Sequence, residues 1–207
     1  MAAGYGGSLE LHYLAKNPFQ QFHDWFKEAE VGSGMKYPNS MSLATADKEG
    51  RPSVRIVLLK GLSAEGFVFY TNYESRKASQ LEENAHAALC LFWDKLHRQV
   101  RVEGRVERVS RATSQEYFNT RPRLSRIGAW ASHQSQPIGS RAELEKQVHE
   151  MEERFRGQEE IPVPEHWGGY VLHPTRLEFW QEGEFRLHDR FTYEKEGDGW
   201  KVARLSP

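Results

Sequence analysis

The chain has 207 residues, 28 Lys plus Arg against 29 Asp plus Glu, and a formal net charge of -1, which suits one domain with a full core and argues against a nucleic-acid coat or a polybasic membrane anchor. Its single cysteine, Cys90, excludes an internal disulfide framework and a Cys-based zinc site, and its apolar runs are far too short to span a membrane. Aromatic residues at 12% set it apart from disordered chains, and with no secretory pattern at the start, a cytoplasmic location is expected.

In chain order, residues 1–16 open with Gly4, Gly6 and Gly7 and are expected to form a flexible arm, with a single domain over 17–207. Asn17-Pro18 opens a helix. Asn17 suits the N-cap, Pro18 the first helical position, and Phe19, Phe22, Phe26 and Ala29 recur at three to four residues. Strands are predicted at 41–45, 53–60, 66–72, 87–93 and 98–109, with a short helix capped by Ser75 before the fourth. In the last of these strands Val100, Val102, Val106 and Val109 sit among charges, and Gly104 marks a bulge or bend. Helical stretches follow at 112–120 and 140–157. The second carries an apolar set at Leu144, Val148, Met151 and Phe155. Strands return at 168–173, 176–181, 190–196 and 200–205. Short strands joined mostly by tight turns, with helices appended, predict a mainly β fold built on an antiparallel barrel.

Four groups of residues suggest chemistry. Arg55 and Lys60 end an apolar strand, where two cations can hold an anion while the centre stays in the core. Arg76 and Lys77 fall in the first turn of the short helix. Cations are misplaced at a partly positive helix start unless an anion such as phosphate docks there. Tyr117, Arg121 and Ser125, amid Arg123 and Arg126, form a natural clamp for a second phosphate monoester. Finally, Arg186, His188 and Arg190 would share one face if their segment is a strand, presenting two guanidiniums and an imidazole to one ligand. The histidines form no metal-binding pattern, and no glycine-rich dinucleotide loop, Walker loop or nucleophile elbow is present.

The strings RIVLLK (55–60), FYTN (69–72), SRKA (75–78), RQVRVEG (98–104), YFNTRPRLSRIGAWAS (117–132), HQSQ (133–136), WGGY (167–170), EFWQ (178–181) and RLHDRF (186–191) occur in that order. Together they resemble the pyridoxine (pyridoxamine) 5'-phosphate oxidase family. The resemblance implies a homodimeric FMN-binding split β-barrel that oxidises pyridoxine or pyridoxamine 5'-phosphate to pyridoxal 5'-phosphate and reduces O2 to H2O2, with no nucleic-acid or membrane partner. It also implies roles. Arg55, Ile56, Val57, Leu58, Leu59, Lys60, Tyr70, Thr71, Arg76 and Lys77 match FMN-binding segments. Gln99, Gln134, Ser135, Trp180 and Arg190 match further FMN contacts, some from the partner subunit. Lys60, Tyr117, Arg121 and Ser125 match the substrate-phosphate site, and Arg186 and His188 match the catalytic pair over the substrate ring.

Overall fold

A computed structural model describes residues 8–63 and 65–207 of the chain. In order, the elements are α1 (Pro18–Gly32), β1 (Ser40–Ala46), β2 (Pro52–Leu58), β3 (Gly61–Leu62), β4 (Phe67–Asn72), α2 (Arg76–Glu83), β5 (His86–Trp93), β6 (Arg98–Arg108), α3 (Arg111–Thr120), α4 (Arg123–Ala131), α5 (Arg141–Arg154), β7 (Trp167–Gln181), β8 (Asp189–Glu196) and β9 (Gly199–Leu205).

All strand pairings among the described residues are antiparallel, in the order β2-β1-β5-β6-β7-β4-β3, with β8 and β9 branching off β7. The branch is what makes the barrel a split one. β6 follows β7 along its length. On the other side, 167–172 of β7 pair with β4 and 176–181 pair with β8. The residues between, 173–175, are where β7 changes partner. Pro174 lies there, where the missing N–H costs nothing on the unpaired side. The register shifts beside it, at Glu103/Gly104, as the glycine in β6 suggested. Segments 168–173 and 176–181, expected as two strands, are therefore one bent strand.

Side chains alternating inward from β1, β5, β6 and β7 fill the barrel, including Met41, Leu43, Leu89, Leu91, Val100, Val102 and Phe179. Helix α1 packs onto this core. Asn17 Oδ1 accepts from Phe19 N at 2.8 Å, and Phe22, Trp25 and Ala29 enter the core. A second apolar cluster, Phe118, Ile127, Phe155, Ile161, Val163 and Trp167, joins α3, α4 and α5 to the start of β7.

Part of the expected arm, Met1–Gly7, lies outside the described residues. Ser8–Lys16, by contrast, is docked. Leu9 is buried, its N–H donates to Asp189 Oδ2 at 2.9 Å, and Tyr193 donates to Ala15 O at 2.7 Å. No helix among the described residues is long and apolar enough to cross a membrane.

Candidate active site

A cavity of about 890 Å³ opens between β2, β4, α3, α4 and the start of β7. Its lining includes Arg55, Lys60, Lys77 and Arg121, and no carboxylate. Four cations with no acid to neutralise them make a receptor for anions.

The first cationic group is built on β2 and α2. Arg55 lies on β2 opposite Leu43 of β1. Its Nη1 donates to Leu43 O at 3.0 Å and to Thr45 Oγ1 at 2.7 Å, and its Nη2 donates to Ser53 Oγ at 2.6 Å. Lys77 is only 9% exposed. Its ammonium donates to Gln134 Oε1 at 2.7 Å, Thr71 Oγ1 at 3.0 Å and Ser75 Oγ at 3.2 Å, all neutral oxygens. Burial, and then the charge of Arg55, lower its pKa to about 8. Burial and the neighbouring Arg76 likewise lower that of Arg55. Ser75 holds the N-cap position of α2, but its side chain does not cap. Its hydroxyl donates to Asn72 O at 2.7 Å and accepts from Lys77.

The second group rests on aromatic rings. Tyr117 stacks on Tyr70 at 3.9 Å between centroids, and Tyr70 stacks on Trp167 at 5.4 Å. Lys60 Nζ stands 5.9 Å from the centre of the Tyr117 ring, and the Arg121 guanidinium 4.7 Å from that of Trp167. Arg121 Nη1 is buried with no hydrogen-bond partner. Gly169 makes the stack possible, because a Cβ there would stand 2.7 Å from Tyr70 Cε1. The segment carrying Arg121 and Ser125 is not an extended loop. Pro122 ends α3 and α4 begins at once, so Ser125 sits in the first turn of a helix that the sequence reading missed. Burial, then Tyr117, raises the pKa of Tyr70.

Ile56, Val57, Leu58, Tyr70, Thr71, Tyr117, Ser125 and Gln134 also line this cavity, so most of the expected residues converge. Leu59 does not line it, since its side chain is buried in the barrel core. Arg76 and Ser135 line a neighbouring pocket of about 640 Å³, together with Asp47, Glu49, Glu74 and Glu83. Asn72, of the FYTN string, also lines the cavity, and Trp167 lines it without having been singled out. The WGGY string carried the only signal for Trp167, an aromatic residue beside two glycines that permit close packing.

The remaining candidates lie elsewhere. Gln99, Trp180 and Arg190 are directly paired across β6, β7 and β8, forming one row on the sheet. The His188 ring lies 4.7 Å from Trp180, and Gly183 N donates to His188 Nδ1 at 3.2 Å. Arg190 Nε donates to Glu178 Oε1 at 2.8 Å, and Glu178, 3% exposed, also takes Arg101 at 3.4 Å. The expectation that Arg186, His188 and Arg190 share one strand face is wrong. Phe185 and Arg186 take left-handed backbone angles in a short 3-10 turn, and β8 begins only at Asp189. Arg186 is exposed. From Trp167 to Gln181 runs about 46 Å of strand at ~3.3 Å per residue, so a single chain keeps Arg186 at the opposite end of β7 from the cavity. Among the described residues, no group of three or more His, Cys, Asp or Glu is placed to hold a metal ion.

Comparison with known proteins gives concordant matches. A family profile described as pyridoxamine 5'-phosphate oxidase matches residues 28–155, and one described as pyridoxine 5'-phosphate oxidase C-terminal dimerisation region matches 167–207. The chain is 54% identical over 202 residues to the pyridoxine/pyridoxamine 5'-phosphate oxidase of Bordetella pertussis, covering 97% of this chain and 94% of that one. Its structure resembles that of PhzG from Burkholderia lata 383 in complex with tetrahydrophenazine-1-carboxylic acid, with a TM-score of 0.90, 28% identity and coverage of 99% and 100%. A pyridoxamine 5'-phosphate oxidase-related, FMN binding protein from Nostoc punctiforme shares the fold at a TM-score of 0.74 and 18% identity, with coverage of 94% and 100%.

Proposed function

The chain belongs to the pyridoxamine 5'-phosphate oxidase family, and on that premise we propose that it is an FMN-dependent oxidase of pyridoxine 5'-phosphate and pyridoxamine 5'-phosphate. Pyridoxine phosphate and O2 would give pyridoxal 5'-phosphate and H2O2, and the amine substrate would in addition consume water and release ammonia. The observation that carries this reading is the pair of acid-free cationic groups in one cavity. One holds a buried lysine bonded only to neutral oxygens, and the other a buried guanidinium N–H with no partner. Two phosphate monoesters, one from FMN and one from the substrate, satisfy both.

FMN bound there would supply the redox chemistry, a two-electron oxidation at the substrate C4' carbon with O2 as final acceptor. The side chains do the holding. Arg55 and Lys77, with Arg76 beside them, neutralise the cofactor phosphate, and Thr71 and Gln134 fix the ammonium that grips it. Arg121, Ser125 and Lys60 bind the substrate phosphate, with Tyr117 against them. Arg186 and His188 of the partner subunit cover the substrate ring, and the partner's row of Gln99, Trp180 and Arg190 completes the flavin site. The match of 167–207 to a dimerisation region supports a homodimer.

The test is spectroscopic. The FMN-loaded protein is expected to bleach anaerobically on adding pyridoxamine 5'-phosphate, then regain its colour with air as H2O2 forms. Flavin colour that no vitamin B6 phosphate bleaches overturns the reading. The likeness to PhzG supports a second one, oxidation of a polycyclic carboxylic acid. Bleaching by such an acid, and not by the phosphate ester, would select it.

A further inference from the structure

We propose that Trp167 is a positioning residue for the substrate phosphate: its indole face holds Arg121 in place while leaving the guanidinium's charge and N–H groups to the anion. This deepens the functional reading above and rests on it.

Two arginines that pack nearby or on the same sheet, Arg190 and Arg111, are held by oxygens. Arg190 is fixed by the Glu178 carboxylate at 2.8 Å and by Ser206 O at 3.0 Å. Arg111 is fixed by the carbonyls of Val163, Pro164 and Trp167. Arg121 makes no ion pair or hydrogen bond of this kind among the described residues. Its guanidinium lies instead over two rings, 4.7 Å from the centre of Trp167 and 5.5 Å from that of Phe118. The difference has a chemical consequence. A carboxylate that fixed Arg121 would occupy its donors and cancel its charge before any ligand arrived. A ring face attracts the cation and fixes its plane but consumes no donor.

Trp167 is itself well fixed. It is 7% exposed, its backbone pairs with Asn72 of β4, and its backbone N–H donates to Pro164 O at 3.1 Å. Phe118 meets it edge-on at 5.0 Å, and Tyr70 stacks on it within 9° of parallel. The indole therefore cannot turn away from Arg121 without disturbing the whole stack.

The experiment uses the FMN-loaded enzyme at saturating FMN. It reads the KM for pyridoxamine 5'-phosphate, and the Ki of inorganic phosphate as a competitor. Trp167→Leu is expected to raise both by the same factor, ~3–30-fold, with kcat nearly unchanged. Trp167→Phe, with a weaker ring face, should fall between the wild type and the Leu variant. In an Arg121→Ala background, Trp167→Leu should add nothing. The proposal is overturned if Trp167→Leu lowers kcat or melting temperature while leaving KM and phosphate Ki unmoved. It is equally overturned if its effect adds fully to that of Arg121→Ala. Should Trp167→Leu not fold, Trp167→Phe decides: a phosphate Ki above the wild-type value supports the proposal, and an unchanged one sinks it. Failure of the functional reading looks different. The wild type would then not turn over the ester, yet phosphate binding by the FMN-loaded protein, measured by calorimetry, would still report on Arg121 and Trp167.

Discussion

Lys77 is a buried cation that costs the free fold stability, which the proposed ligand would offset. Its ammonium is buried and bonded only to neutral oxygens, and burial followed by the charge of Arg55 takes its pKa from the usual 10.5 to about 8. Between those two values the unfolded chain keeps a proton that the folded chain has lost. The free protein therefore gains stability as pH rises through that window, and below it carries the full cost of the buried charge. A bound phosphate reverses the preference, because it needs the protonated amine. The expected outcome is that Lys77→Met raises the melting temperature of the FMN-free protein near neutral pH, with the gain shrinking in alkali. The same change should weaken FMN by ~10–100-fold in a fluorescence titration. FMN affinity of the wild type should fall as pH climbs above about 8, and that of the variant should not. The sequence identified this residue through its awkward position in the first turn of α2. It could not show the three oxygens that hold the amine, since they come from β4, the N-cap and the loop after α4.

At the scale of elements, β7 organises the site. Its first residue, Trp167, lies at the cavity, its middle bends where it exchanges β4 for β8, and its far end leads to Arg186. The bend depends on Gly104 in β6, where a Cβ would stand 2.0 Å from His173 O. Gly104→Ala is expected to cost ~2–3 kcal/mol in urea unfolding. The affinity of the folded fraction for FMN should hardly change, because none of Glu103, Gly104, His173 and Pro174 lines the cavity. The bulge glycine and the strand pattern on both sides of Pro174 were legible in the sequence. That the two halves are one strand was not, because a proline ends a ladder only on the side where its N–H would have paired, and the side is a tertiary matter. The same limit hid α4. The string from Arg123 to Ala131 follows Pro122, carries two arginines and holds Gly128, so its local pattern does not announce a helix. Ile127 packed against Phe118 and Phe155 supplies the reason it forms.

For the whole molecule, the separation of Arg121 from Arg186 along β7 makes a direct prediction. A chain carrying Arg121→Ala and a chain carrying Arg186→Leu should each form a nearly inactive homodimer. If the sites are shared as proposed, mixed dimers should regain about half the wild-type activity per dimer, since one of the two sites then combines an intact Arg121 with an intact Arg186. Activity that stays at the level of the two parents would show each site to be built within one chain.

Taken by itself, the sequence determined the class of fold and the alternation that fills the barrel, and it proposed the residues of the site, because those depend on residue type and short-range spacing. Arg55, Lys77, Tyr117 and Arg121 could each be read as candidate anion ligands from their neighbours alone. Only the tertiary structure decided which of them share a cavity. It joined Arg55 to Lys77, placed Trp167 beneath Arg121, and turned Arg186 and His188 out of the strand and away from the others. Pattern along a chain records what a residue can do, whereas a site is a meeting of distant segments, and that meeting is set by how the sheet bends, branches and closes.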